Sequence, residues 1–124
     1  MSDLLEKHGF HFQKKYGQNF LQDIKIPRRI AAECTDYALP DGFGEGAEKI
    51  PALILEIGPG AGILTGELAK RFEKVVAVEI DRSLEGVLAE SLALYDNAEV
   101  VFGDIMETDL AALLAPRRTG KNGI

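Results

Sequence analysis

The chain has a single cysteine, Cys34, so it cannot form an internal disulfide, and it has no tryptophan. No apolar run approaches the roughly 20 residues that a membrane span requires, and the polar, charged N-terminus does not resemble a secretory signal. We therefore expect no membrane association. One cysteine among 124 residues is compatible with a reducing cytoplasm, which is the location we expect. His8 and His11 have no metal-ligating neighbours in the sequence, so we expect no metal site.

Basic residues are in the minority. Fourteen Lys and Arg face 20 Asp and Glu, which gives a net charge of −6. This balance argues against a broad nucleic-acid-binding surface, because neutralising phosphates requires clustered cations. The basic residues do gather near the two ends of the chain, at Lys14 and Lys15 and again at Arg117 and Arg118. Either group could contact phosphate, although a solvated terminus is the simpler interpretation of each.

Glycine is concentrated where the chain is most informative. The apolar run Leu53–Ile57 is followed by Gly58, Gly60 and Gly62, and a helical pattern begins at Ile63. A strand, a glycine-rich loop and a helix in this order predict a nucleotide-binding turn, because glycine lets the backbone approach a ligand closely. The alternative is a tight turn that only packs the helix on the strand. A dinucleotide fingerprint would need glycine at the sixth place, where this chain has Ile63.

Two more predicted strands end in acidic residues. Lys74–Val78 leads to Glu79, which lies 21 residues after Gly58, and Glu99–Phe102 leads to Gly103 and Asp104. An acid about 20 residues beyond the glycine loop is placed to accept from ribose hydroxyls, and Asp104 could accept from an adenine amine. Ligands bind at the carboxyl ends of such strands. We therefore expect Gly58, Glu79 and Asp104 at one rim, although each acid could simply face water.

Helices are predicted before and between these strands. One is expected over about residues 26–37, with a buried stripe that includes Cys34, and a loop follows over 39–51. Another is expected after Glu79, with Ser83 as its N-cap and Tyr95 near its buried face. A short helix is expected over 110–114, after a solvated Asp109, and an unstructured tail over 116–124. The expected stripe of the first helix is Ile26, Ile30, Ala31, Cys34 and Ala38.

The segment Lys14–Leu21, KKYGQNFL, precedes the motifs LEIGPGAGILT, VAVEID and FGDIME. Together these four ordered motifs resemble the ribosomal RNA adenine dimethyltransferases over roughly residues 10–115. The leader resembles the KsgA/RsmA-type small-subunit enzymes more than the related Erm enzymes. The resemblance implies an α/β fold, the N-terminal part of a class I S-adenosylmethionine (SAM)-dependent methyltransferase. Its doubly wound, Rossmann-like sheet would be truncated after about three strands. It further implies three parts of the chain. These are a leader over 1–22 that covers the cofactor and contacts RNA, a partial SAM-binding domain over 23–115, and the unstructured tail over 116–124.

Carried over by position, the resemblance assigns SAM contacts to five residues. Asn19 and Leu21 would belong to the leader that folds over the cofactor. Gly58 would lie beneath its methionine end, Glu79 would bind the ribose hydroxyls, and Asp104 would meet the adenine. The implied reaction transfers two methyl groups to N6 of each of two adjacent adenosines near the 3′ end of small-subunit rRNA. The implied partner is that rRNA, or the pre-30S particle.

The sequence departs from the family in one respect. Members carry an Asn-Leu-Pro-Tyr motif after the fourth strand that holds the target amine, and this chain has no such motif. We therefore expect an N-terminal fragment that is inactive alone and binds SAM weakly. Its first strand would form an exposed apolar edge through which the fragment self-associates. Three alternatives stay open: a NAD-dependent oxidoreductase half-domain, a methyltransferase of another substrate, and a non-catalytic interaction module with the same fold.

Overall fold

A computed structural model describes residues 24–38 and 49–117 of the chain. Helices and strands alternate along these residues, as the sequence predicts. Three short 3-10 turns connect or extend them, at Arg82–Leu84, Ile105–Glu107 and Ala115–Arg117. In chain order the main elements are α1 (Lys25–Ala38), β1 (Ile50–Ile57), α2 (Ile63–Ala69), β2 (Phe72–Glu79), α3 (Glu85–Ser91), β3 (Ala98–Phe102) and α4 (Leu110–Leu114).

The three strands form one parallel sheet in the order β1-β2-β3. Glu56 on β1 lies opposite Ala77 on β2, and Glu79 lies opposite Phe102 on β3. Because side chains alternate across a sheet, Glu56 and Glu79 extend from the same face. The expected α/β architecture is therefore confirmed. Within the described residues β1 pairs on one side only, so it forms an edge of the sheet, as predicted.

Most of the core lies on the sheet face that carries Glu56 and Glu79. There α2 and α3 pack on β3, and α1 packs with α2 over the beginning of β1 and β2. The other face is covered by α4, whose Leu114 packs on Leu53 and Val76. The buried residues of the larger face fall into two clusters: Ala61, Ile63, Leu84, Val87, Leu88 and Leu92 in one, and Ala31, Ile50, Leu68, Ala69, Phe72 and Val75 in the other.

Two expectations about α1 and β1 are wrong in part. The helix α1 is present, but Ile26 and Ile30 are 44% and 39% exposed. Among the described side chains of this helix, Pro27 and Ala31 are buried and Cys34 is half-buried. The side of α1 that faces the core is therefore the one that carries Ala31, which packs with Leu68 of α2 and Ile50 of β1. The strand β1 begins at Ile50 instead of Leu53, and its pairing register shifts between these two residues. Residues 39–48 of the expected loop lie outside the described residues.

The turn after β2 also differs from the prediction. Asp81 rather than Ser83 caps it, since the Asp81 carboxylate accepts a bond from the Ser83 N–H at 3.0 Å. A 3-10 turn follows before α3 begins at Glu85, and α3 ends at Ser91. Tyr95 therefore lies beyond the helix, although its ring packs on Gly66 of α2. Asp81 is the cap because its carboxylate accepts from the N–H two residues later, and this hydrogen bond forms an Asx turn.

The tail was expected to be unstructured from Pro116, and this is wrong for its first residues. Arg117 closes a 3-10 turn and makes a two-pronged ion pair with Glu99 of β3, at 2.9 and 2.7 Å. Lys74 of β2 lies 3.4 Å from the same carboxylate. A local sequence pattern cannot reveal the ion pair between Arg117 and Glu99, because these two residues are 18 positions apart. Residues 118–124 lie outside the described residues.

A buried carboxylate joins α1 to α2. Glu67 is 4% exposed, and it lies 3.4 Å from Arg28, 3.2 Å from Lys70 and 3.1 Å from Arg71. Burial acts to raise the pKa of Glu67, but the hydrogen bonds from Arg71, Lys70 and Arg28 outweigh burial and hold that pKa below its usual value. The three cations therefore stabilise a charge that would be unfavourable alone.

We predict that Glu67→Gln lowers the free energy of unfolding by about 1–2 kcal/mol, because three cations then lose their shared charge partner. Urea unfolding followed by circular dichroism measures this. The matched control is Glu33→Gln, which removes only the exposed pair with Arg29 on α1; it should change stability by less than about 0.5 kcal/mol. Equal losses in the two variants would contradict the prediction.

Candidate functional site

The carboxyl ends of the three strands meet at one rim of the sheet. The Gly58 N–H donates to the Val78 carbonyl at 2.8 Å, and the Gly103 N–H donates to the Glu79 carbonyl at 2.9 Å. These bonds continue the parallel ladder one step beyond each strand. Gly58, Glu79 and Asp104 are therefore neighbours in space, as the sequence predicts. The predicted residues Asn19 and Leu21 lie outside the described part of the chain.

The glycines of the loop do two different things. Gly58 has φ 71°, and a methyl group added to it would meet nothing within 4 Å, so the backbone faces open space above the strand ends. Gly62 has φ 92°, but a methyl group there would lie 2.7 Å from Ser91 Oγ and 3.2 Å from Leu88. Gly62 thus allows α2 to pack closely on α3. The packing interpretation of this loop therefore holds at Gly62, whereas the open backbone at Gly58 leaves the nucleotide-binding interpretation as a prediction.

Glu79 connects the glycine loop to the end of β2. Its Oε1 accepts from the Gly60 N–H at 3.1 Å, and its Oε2 accepts from the Asp81 N–H at 3.0 Å. The residue is 6% exposed. A carboxylate has about four acceptor positions, so two remain for a hydroxyl pair at the rim. The side chain is held rigidly in one orientation before any ligand arrives.

Asp104 has a structural task as well. Its carboxylate caps the 3-10 turn Ile105–Glu107 by accepting from the Met106 N–H at 2.9 Å. Asp109 likewise caps α4 through the Ala112 N–H at 3.2 Å. The difference is position, because Asp104 directly follows β3 at the rim whereas Asp109 lies beyond it. Asp104 keeps acceptor positions for an amine.

The rim also has apolar surface that the sequence reading did not identify. Ile80 is 67% exposed directly after Glu79, and Met106 is 88% exposed two residues after Asp104. Both lie beside an acid that could hold a polar edge of a ligand. Exposed apolar side chains next to such acids suit the flat face of a base. The signal was present in the motif VAVEID, where an isoleucine separates two acids.

A positioned cation lies at the same end of β3. The Arg82 guanidinium sits 5.4 Å from the centre of the Phe102 ring. It also lies 4.0 Å from Glu85, with most of its side chain exposed. Cation–π contacts of this kind hold an arginine against one face of the protein. Arg82 therefore adds one positive charge beside the acidic rim.

Glu56 is a second buried acid that sequence reasoning did not assign to the site. It is 8% exposed and accepts a short hydrogen bond from the hydroxyl of Thr65, which is fully buried on α2. Burial raises the pKa of Glu56 to about 7, the Thr65 bond opposes the rise, and the charge of Glu79 adds to it. The sequence carried a signal for this, because Ala52, Ile54 and Glu56 alternate with Leu53 and Leu55 and therefore lie on one face of the strand.

Two structural absences bear on the site. Within residues 24–38 and 49–117, no group of three or more His, Cys, Asp or Glu side chains is arranged to hold a metal ion. Over the same ranges, no helix combines the length and the apolar character that crossing a bilayer would demand.

Comparison with solved structures identifies the class of fold. The N-terminal domain of EvdMO1, crystallised with S-adenosylhomocysteine (SAH) bound, matches with a TM-score of 0.56 at 21% identity. That match covers 70% of this chain and 34% of the other. The 23S rRNA methyltransferase ErmE matches with a TM-score of 0.50 at 34% identity, over 66% of this chain and 30% of that protein. The chain therefore has the Rossmann-like fold of SAM-dependent methyltransferases.

The family follows from the sequence match. Residues 9–122 match the model of the ribosomal RNA adenine dimethylase family, and the chain belongs to that family. The ribosomal RNA small subunit methyltransferase A of Ligilactobacillus salivarius (strain UCC118) is 45% identical over 112 residues, which are 90% of this chain and 34% of that protein. The chain spans about a third of the length of the curated relatives it matches. The resemblance carried by the four motifs is thus confirmed.

The elevated pKa of Glu56 predicts how stability depends on pH. Between the ordinary pKa of 4.5 and the folded-state pKa of about 7, the folded chain binds more protons at Glu56 than the unfolded chain does. The contribution of Glu56 to stability therefore falls as pH rises through this window and stays constant above it. Glu56→Gln removes this titration. The free energy of unfolding of the variant, measured relative to that of the wild type, should therefore be higher at pH 8 than at pH 5 by up to about 3 kcal/mol.

Urea unfolding at pH 5 and pH 8 measures this difference. The matched control is Glu73→Gln, because Glu73 is an exposed acid on β2 and should leave the pH dependence unchanged. If the wild type and Glu56→Gln lose stability equally between the two pH values, Glu56 does not titrate in this window.

Proposed function

We propose that this chain is the SAM-binding part of an rRNA adenine N6,N6-dimethyltransferase. The parent enzyme would dimethylate two adjacent adenosines near the 3′ end of small-subunit rRNA. The single observation that carries the proposal is the joint placement of Glu79 and the glycine loop. Both oxygens of the acid are anchored by backbone N–H groups, and the backbone of Gly58 beside it is open. Open backbone and an anchored acid at adjacent strand ends suit an adenosine ligand.

The described residues fit the cofactor in chemistry. Glu79 would accept from the ribose hydroxyls, Asp104 from the adenine amine, and Ile80 would contact the base. Gly58 would lie beneath the methionine end, and Asn19 and Leu21 would close over the cofactor from the leader. When bound, SAM supplies a methyl group already activated by its sulfonium. The task left to the protein is alignment of amine, methyl carbon and sulfur, which is catalysis by orientation.

The acidity of the site supports a cationic cofactor. Glu56 and Glu79 lie on one face at the ends of neighbouring strands, and Asp104 joins them at the rim. The negative charges of Glu79 and Asp104 attract a sulfonium, and the attraction by Glu79 is stronger than it would be in water because this acid is buried. The same acids would repel the phosphates of RNA, so only the target base should enter. A base splayed from a single-stranded loop meets this requirement.

The substrate assignment rests on the relatives. The curated relatives that match at 44–45% identity are named for the small ribosomal subunit. ErmE, at 34% identity, is named for 23S rRNA, so methylation of the large-subunit rRNA is the second candidate. The small-subunit assignment is favoured by the higher identity. The partner would be small-subunit rRNA or the pre-30S particle, which implies a cytoplasmic location.

We predict that SAM binds the chain through Glu79. Titration of the ¹⁵N-labelled chain with SAM should shift the amides of Gly58, Gly60 and Gly103, whereas NAD should not. Glu79→Gln should weaken SAM binding about tenfold or more, since it replaces a charged acceptor by a neutral amide that also disturbs the Gly60 bond. Glu73→Gln on the same strand is the control. NAD binding at these amides, or unchanged SAM affinity in Glu79→Gln, would contradict the proposal.

We predict no dimethylation by the 124-residue chain alone. The chain has no Asn-Leu-Pro-Tyr motif, which the family resemblance assigns to holding the target amine. Incubation of the purified chain with radiolabelled SAM and 30S subunits that lack the modification tests this. Dimethyladenosine in the recovered rRNA would show that the target amine can be held by residues present here.

We further propose that the chain self-associates through β1. This strand pairs on one side only among the described residues, and Ile57 at its end is 62% exposed. An unpaired apolar edge is a template for another strand. Sedimentation velocity over a hundredfold range of concentration should show dimers or larger species. A strictly monomeric sample that melts in one sharp cooperative transition would contradict this.

A further inference from the structure

The two buried acids of the site are held in different ways. Glu79 accepts two backbone N–H bonds, from Gly60 and Asp81. Glu56 is reached by one donor among the described residues, the hydroxyl of Thr65. A hydroxyl can donate to a carboxylate or accept from a carboxylic acid, so this partner serves Glu56 in either protonation state. The backbone N–H groups on Glu79 can only donate.

The position of Glu56 makes its charge relevant to the ligand. It lies on β1 two residues before Gly58, on the same sheet face as Glu79, and it pairs with Ala77, two residues before Glu79. In the described part of the chain, the charged group that acts on Glu56 is Glu79, which disfavours a second negative charge. On the α2 side the group facing it is Thr65, which is uncharged. No described cation compensates Glu56.

We propose that Glu56 takes up a proton in the free chain at and below neutral pH and releases it to solvent when a sulfonium ligand binds beside Gly58. The O–H bond of the carboxylic acid breaks and the proton passes to water, with no covalent change in the ligand. Glu56 is thereby a positioning residue that distinguishes the cationic cofactor from its neutral product. This inference rests on the proposed function, because it takes SAM as the ligand.

The physical reason is charge balance in a buried site. Bound SAM adds a net charge of about +1, from a sulfonium, an ammonium and a carboxylate, whereas SAH is close to neutral. A positive charge near a buried acid favours the ionised form. The pKa of Glu56 is about 7 in the free chain. A cation that lowers this pKa therefore changes the protonation state of Glu56 near neutral pH. SAM affinity should therefore rise with pH while SAH affinity changes less.

Isothermal titration calorimetry of the chain with SAM and with SAH tests this inference. Repeating each titration in phosphate and in Tris at the same pH gives the number of protons released. We expect about half a proton released per SAM at pH 7, and clearly less per SAH. SAM affinity should rise about tenfold from pH 6 to pH 8. Glu56→Gln should abolish the difference between SAM and SAH in proton release and in the pH dependence of affinity, and Glu73→Gln should preserve it.

The ligands carry an amine that also titrates near pH 8. This contribution is common to the wild type and Glu56→Gln, so the difference between the two proteins isolates Glu56. In case Glu56→Gln does not fold, ¹³C NMR of glutamate carboxyls in the wild type provides a second readout. The Glu56 signal should titrate near pH 7 in the free chain and in the complex with SAH, and at a lower pH in the complex with SAM.

The outcomes separate the inference from the proposed function. If SAM and SAH bind with equal proton release, or Glu56→Gln keeps the difference, the inference fails while the proposed cofactor stands. If neither ligand binds at any pH, the proposed function fails and the inference with it. A Glu56 carboxyl signal that titrates at the ordinary value of 4.5 also overturns the inference, whatever the ligands do.

Discussion

The hydrogen bond from the Gly60 N–H to Glu79 Oε1, at 3.1 Å, joins the glycine loop to the end of the neighbouring strand. The same carboxylate accepts from the Asp81 N–H and so orders the turn after β2. One buried acid therefore sets the relative position of two loops that come from different strands. Everything proposed for the site depends on this arrangement, because a ligand across both loops needs them at a constant separation.

Placing acids in this crevice has an energetic cost. A buried carboxylate loses hydration, and the loss is offset only where donors or cations replace water. The chain meets this need differently at the three acids that are buried within residues 24–38 and 49–117. Glu67 has three cations, Glu79 has two backbone N–H groups, and Glu56 has one hydroxyl. The acid with the least compensation lies near the carboxyl end of β1, where the proposed cationic ligand would supply the missing charge.

Several features could be predicted because they are local. The alternation of strands and helices follows from apolar periodicity, and the three rim residues follow from where each strand ends. Apart from the local cap by Asp81, the errors arose where a distant contact decided the outcome. Ile26 and Ile30 of α1 are exposed because the side of that helix that packs on the core carries Ala31, whose partners Ile50 and Leu68 are distant in the sequence. Arg117 is ordered because Glu99 lies beside it, and no periodicity signals such a pair.

The amino-acid sequence by itself determined the order of elements, the glycine loop after β1, the acids at the ends of β2 and β3, and the family. These depend on residue type and spacing, which act over a few positions. Only the tertiary structure decided that Gly60 contacts Glu79, that Gly62 serves packing while Gly58 faces open space, and that Glu56 and Glu79 share one face. Hydrogen bonding, steric contact and desolvation act through space, so their partners become defined only when parallel strands lie side by side.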